Sequence, residues 1–267
     1  MSSNVMSVQI KQFLLIYLLL LVVLAIMKRG HVKQGRYMFL ASMKMSVQLI
    51  LSGLVLTYII KNPRAIFTVI YLTIMIVYTI YRVLHENKDM NKRFKVVTGI
   101  TITVSGLLVM IYFIRIVVGR SVFDPQYAIT ISGMLMGNTM TGSSLAVKTF
   151  REALDGQSGR INALLCAGAS PGKILRPFAG QALETALLPT LNRMMGMGIV
   201  SLPGMMTGQI IAGALPITAI MYQISVMIAI CAAVSLSAYG ILFLGAGTLF
   251  DKETQIIELP EIKKAHK

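Results

Sequence analysis

The chain has 267 residues, 55% of them hydrophobic and 13% charged, with a mean hydropathy of +0.73. A soluble domain of that length would lack the polar surface to stay in water, so composition excludes a soluble enzyme or a large soluble domain and points to one integral membrane domain over 1–267. The formal charge of +15 comes from basic residues set between apolar runs, the pattern of membrane topology and anionic lipid, and no nucleic-acid partner is expected.

A spanning helix needs about 20 mostly apolar residues, and the chain offers seven such runs, so an all-α polytopic bundle is predicted. The first, at 8–27, is followed by Lys28, Arg29, Lys33 and Arg36 with no small-residue cleavage site before them. It reads as a retained helix and not as a removed signal peptide. Further runs lie at 40–60, 65–81, 96–116 and 126–147. The sixth starts at 178 or 194 and ends near 212, and the seventh covers 217–249. Residues 194–250 carry no charge at all.

Cytoplasmic loops keep an excess of Lys and Arg. Seven crossings with the N-terminus outside place twenty of the 25 basic residues inside, Arg193 among them, and leave Lys11, Lys61, Arg64, Arg115 and Arg120 outside. The tail after Phe250 is then cytoplasmic. Cys166 and Cys231 fall in a predicted cytoplasmic segment and a membrane helix, read as packing residues with neither a disulfide nor a zinc site between them. His31, His85 and His266 sit in polar loops or the tail, and no Ser, His and Asp grouping supports a membrane enzyme. GASPGKI at 168–174 imitates a nucleotide loop, but it has three residues between its glycines where four are needed. Ile174 also replaces the hydroxyl that would hold magnesium, so no ATP cofactor is expected in this chain.

The longest polar interruption is 148–176. Its centre, INALLCAGASPGKIL, spaces Ile161, Leu164, Leu165 and Ala169 as a helix would, then offers a glycine and Pro171 to restart the chain. A short amphipathic helix, a break and a second turn are predicted at the cytoplasmic surface. Such a helix either rests on lipid or docks a cytoplasmic partner.

ALLCAGASPGKI, 163–174, resembles the coupling segment of ABC-transporter permeases, although Asn162 and Leu164 stand where that motif has Glu and Ala. With GMLMGNTMTGSSLA at 133–146 and LLPTLNRMMGMGIVSLPGMMTGQI at 187–210, the chain resembles the FetB-type iron-export permeases, a family that also contains plant aluminium-tolerance permeases. The similarity is strongest over 127–223. It implies a homodimeric, multi-pass permease of the cell membrane that works in metal homeostasis. It also implies a separate ATPase subunit that holds ATP and Mg and is contacted through Ala163, Leu164, Gly168, Ala169, Ser170, Pro171 and Lys173. A stand-alone secondary transporter or channel is the alternative.

SLPGMMTGQIIAGALP, 201–216, interrupts the last apolar stretch with glycines and prolines. GMLMGNTMTG (133–142) and GMMTGQIIAG (204–213) share a Gly-x-x-x-Gly spacing, through Gly133 and Gly137 and through Gly204 and Gly208, which lets helix backbones approach in lipid. Asn138 and Gln209 then hold matching places. A helix is predicted to begin after a break near Ser201 with Pro203 in its first turn, to pack tightly, and to turn into the last crossing after Gly213. With Thr207, these positions either pack helices or line a pathway. Met194, Met195, Met197, Met205 and Met206 offer soft ligands or flexible packing, and the metal ligands are left open. Glu184 lies among apolar residues as a site or an interfacial carboxylate, with Arg193 or Arg176 as partner.

Overall fold

A computed structural model describes residues 10–31, 34–87 and 90–249, which form helices and connecting turns with no strand among them. The cytoplasmic tail predicted after Phe250, His266 and Lys33 lie outside the described residues. The long helices follow the apolar runs. They are α1 (Ile10–Arg29), α2 (Gly35–Lys61), α3 (Ala65–Glu86) and α4 (Lys92–Tyr112), the last prolonged by a π turn over Phe113–Val118. After α5 (Pro125–Gly156) come α6 (Ser158–Cys166), α7 (Pro171–Gly196), α8 (Gly204–Ile211) and α9 (Pro216–Tyr239), the last prolonged by a second π turn, Gly240–Leu244.

Four of these, α2, α3, and α4 and α9 with their π turns, are long and apolar enough to cross a membrane. The seven helices α1 to α5, α7 and α9 have at least the 20 residues of α1. Helix α8, with 8 residues, spans only about 12 Å. The sixth predicted run is therefore corrected: the helix starts at Pro171 and ends at Gly196, and no crossing begins at residue 194.

Sequence sets the helix ends. Pro125, Pro171 and Pro216 stand in the first turns of α5, α7 and α9, where the missing N–H has no intrahelical partner to lose. Asp124 caps α5 by accepting from Gln126 N, and Asn91 caps α4 by accepting from Phe94 N at 2.7 Å. Asn91 Nδ2 also donates to the Thr248 carbonyl at 2.9 Å, so the α3–α4 turn and the end of α9 lie at one end of the bundle. Thr68 Oγ1 donates to the Phe123 carbonyl, which joins the α2–α3 and α4–α5 turns at the other.

Helix α5 is the hub, packed against α3, α4, α7 and α9, while α1 rests on α2. One buried cluster gathers Phe94, Phe150, Leu154, Ile161, Leu175 and Leu242 at the first end. A second gathers Phe113, Ile114, Ile131, Leu135, Val226 and Ile230 toward the other. Leu, Ile, Val and Tyr side chains cover the outside of α1 to α4, the inverse of a water-soluble surface and the form expected of lipid contact. Hydroxyl pairs tie the helices: Tyr17 with Ser46, Ser52 with Tyr71 at 2.9 Å, and Ser105 with Ser237.

Candidate functional site

Two features stand out: the α6 segment at one end, and a polar stripe along α5 and α7. The segment begins later than the sequence suggests, because α5 runs nine residues past Val147 through Lys148, Arg151, Glu152 and Asp155. The non-helical break is only residues 167–170. There the chain makes a Schellman turn: Ala169 N donates to Leu164 O at 3.0 Å, Gly168 N donates to Leu165 O at 2.9 Å, and Gly168 has φ +82°. Glycine is the residue that adopts this left-handed conformation without strain. Pro171 then opens α7.

Ile161 is fully buried in the first cluster, and Leu165 and Ala169 pack against it. The opposite face of the segment, Asn162, Ala163, Leu164, Cys166, Gly168 and Ser170, is exposed. A short helix is thus fixed by one face and presents small and apolar side chains on the other, next to the exposed basic residues Arg160, Lys173 and Arg176.

The stripe lies on the exposed side of α5 and α7. Along α5, Thr130, Gly137, Thr141 and Lys148 are exposed at helical spacing, with Asn138 partly so. Along α7, Gln181, Glu184, Asn192 and Arg193 are exposed, with exposed Leu188 and Leu191 between them. The two helices run antiparallel, and a Cβ on Gly142 would stand 3.6 Å from Ala186 O. Arg193 Nη1 donates to Asn138 Oδ1 at 2.8 Å, and Asn138 Nδ2 donates to Met134 O. Asn138 sits near the middle of an uncharged stretch, 125–147, about 15 Å along the axis from Lys148.

Arg193 therefore leaves the predicted cytoplasmic group: it stands in the last turn of α7, at the end away from α6. Among the described residues the ion pairs are Arg82–Glu86 and Lys148–Glu152. Glu184 is paired with neither Arg193 nor Arg176, and among the described residues Arg193 has no carboxylate partner. An arginine at membrane depth costs at least about 2.5 kcal/mol unless it meets water or a polar surface. The geometry accordingly marks the stripe as facing a hydrated or protein-lined space.

The remaining predicted positions scatter. A Cβ on Gly133 would stand 3.2 Å from Met75 Cε, whereas at Gly137, Gly204 and Gly208 a Cβ would meet no packed neighbour among the described residues within 4 Å. Pro203 precedes α8 after the break at 197–201 and accepts from Thr207 Oγ1. Gln209 accepts from Ala214 N through its carbonyl, and Gly213 turns the chain at φ +96°. The 133–142 and 204–213 segments are not a structural repeat: one is mid-helix in α5, the other a short helix and turn on α9. Met194, Met197 and Met205 pack against the second cluster, and Met195 is exposed. Sequence reasoning missed the close approaches at Gly106, Gly142 and Gly240, and the Asn138–Arg193 bond. A signal for the latter was present: Arg193 is the one charge in residues 185–250.

The family described as "Uncharacterised protein family (UPF0014)" matches residues 10–250. A UPF0014 membrane protein of Synechocystis is 32% identical over 79% of this chain and 82% of its own length. The probable iron export permease protein FetB of Escherichia coli is 29% identical over 82% of this chain and 83% of its own. The protein ALUMINUM SENSITIVE 3 of Arabidopsis thaliana is 34% identical over 61% of this chain and 59% of its own. No solved structure matches. With its profile matched across nearly the whole bundle, the chain belongs to the UPF0014 family of membrane proteins.

Proposed function

We propose that this chain is the membrane-spanning permease subunit of an ABC transporter of the cell membrane, exporting iron or another metal ion. Two copies would work with a separate cytoplasmic subunit that binds ATP and Mg. The reading rests on the relationship to the probable iron export permease FetB over 82% of the chain. Seven crossings by α1 to α5, α7 and α9, with the N-terminus outside, put the α6 segment and most basic residues in the cytoplasm, as the positive-inside rule favours. The coupling region 148–176 is then the polar end of α5, α6 and the start of α7.

An ATPase drives a permease only through a contact that differs between two states. The exposed face of α6 suits that contact, because its core-facing residue Ile161 holds the helix while Leu164 points outward. Leu164→Glu puts a charge on this face without touching the core. Co-purification with the organism's candidate ABC ATPases, with ATP hydrolysis measured in liposomes, tests it. Leu164→Glu is expected to weaken association at least tenfold and to abolish metal-stimulated hydrolysis in a folded subunit. Metal flux through the purified chain alone, down a gradient, would replace the reading with a stand-alone secondary transporter or channel.

A further inference from the structure

The stripe presents two charges at membrane depth, Glu184 and, nine residues further along α7, Arg193, and the charge at the level of Asn138 is positive. Arg193 stands three residues from the end of α7, so a side chain serving only to reach interfacial water would turn toward that end. Its guanidinium instead lies back along the helix at Asn138, near the centre of the uncharged stretch 125–147. One donor goes to the amide. The guanidinium carries five N–H donors in a planar fork, its residue is exposed, and no carboxylate among the described residues pairs with it. Asn138 fixes the fork from the other side, since its Nδ2 is held by Met134 O and its Oδ1 is thereby aimed at Arg193. Among the described residues no three of His, Cys, Asp and Glu come together as metal ligands. A bare divalent cation would meet repulsion at this level. A carboxylate or other oxyanion would meet a preorganised partner.

We infer that Arg193 and Asn138 form an anion-binding station on the translocation path, and that the metal crosses as a negatively charged carboxylate complex and not as a bare cation. This rests on the metal-export reading above and names the chemical form of its cargo. Thr141 and Gly137 flank Asn138 on the exposed side of α5, leaving room for oxygen ligands beside the fork.

Equilibrium dialysis of the full chain in lipid nanodiscs, against ferric citrate, citrate alone and Fe2+ under anaerobic conditions, tests the inference. Ferric citrate is expected to bind. Arg193→Gln weakens it about 10- to 100-fold, the span of one charged hydrogen bond, and Arg193→Lys keeps part of the affinity by keeping the charge. Asn138→Ala, which leaves the guanidinium in place but unaimed, gives a smaller loss and serves if Arg193→Gln does not fold. Fe2+ binding that Arg193→Gln leaves unchanged, with no binding of ferric citrate, overturns the inference while the metal-export reading stands. Citrate binding as tightly without iron, and lost in Arg193→Gln, keeps the anion station and removes metal as the cargo. Failure of all three probes to bind overturns the station.

Discussion

A Cβ at Gly142 would stand 2.5 Å from Val234 Cγ1, and Val234 is buried and β-branched. Neither helix can yield without moving backbone, so Gly142→Ala loses more to overpacking, typically 1–3 kcal/mol, than the roughly 1 kcal/mol that alanine gains in a helix. A net loss of about 1 kcal/mol, read as a lower melting temperature in detergent, is the expected outcome. Gly106→Ala is the contrasting case. Its nearest atom, at 2.2 Å, is the terminal methyl of Met136, which swings aside through flexible torsions. The variant should melt within about 0.5 kcal/mol of the wild type, and equal damage at both sites would refute the distinction. Gly208 has open space around it, so Gly208→Ala stabilises α8 by up to about 1 kcal/mol, unless a second copy packs there. Chemical crosslinking of that variant measures whether self-association falls.

The apolar runs made most of the helices visible in the sequence, since 20 uncharged residues have few other uses. Two kinds of boundary stayed hidden. Lys148, Arg151, Glu152 and Asp155 read as a loop, yet they continue α5 because helical spacing turns their charges outward while Val147, Phe150 and Leu154 stay buried. The first half of α7 is amphipathic, with Lys173 and Arg176 exposed beside buried Leu175 and Phe178, so hydropathy alone places its start too late. The α6 break was legible for a local reason: Gly-Ala-Ser-Pro specifies a left-handed residue and a helix restart within four positions. The Asn138–Arg193 bond joins residues 55 apart; spacing carries no trace of such a contact, and the isolation of Arg193 among uncharged residues was the one signal. The Gly-x-x-x-Gly motifs marked small faces without saying what lies opposite. Inside α7, Pro177 and Pro189 each remove a backbone donor. Pro189→Ala restores one helix bond and is expected to raise the melting temperature by a few degrees. A lower melting temperature would show that Pro189 contributes to packing on α5.

The proposed seven crossings would put the two ends of the bundle on opposite sides of the membrane, and Cys166 offers a direct test because it is a free, exposed thiol on α6. In a Cys231→Ser background, a membrane-impermeant maleimide should label Cys166 in inverted vesicles and leave it unlabelled in intact cells. Labelling from the outside would invert the whole arrangement. Helix α5, at 32 residues, is about 48 Å long, some 18 Å more than a hydrocarbon core. The extension carries α6 at its tip and packs Phe150 and Leu154 into the first cluster, so it moves together with the helix ends around it. From Asn138 to Gly156 the arm measures about 27 Å. Tilting it by about 10° around Asn138 sweeps the tip through about 5 Å while the pivot stays nearly still. If the proposed ATPase pushes on α6, a wide stroke in water would become a small rotation at the level where Arg193 sits. Shortening the arm by one turn, with a four-residue deletion between Lys148 and Gly156, would blunt that gearing without altering a single residue of the stripe above Lys148.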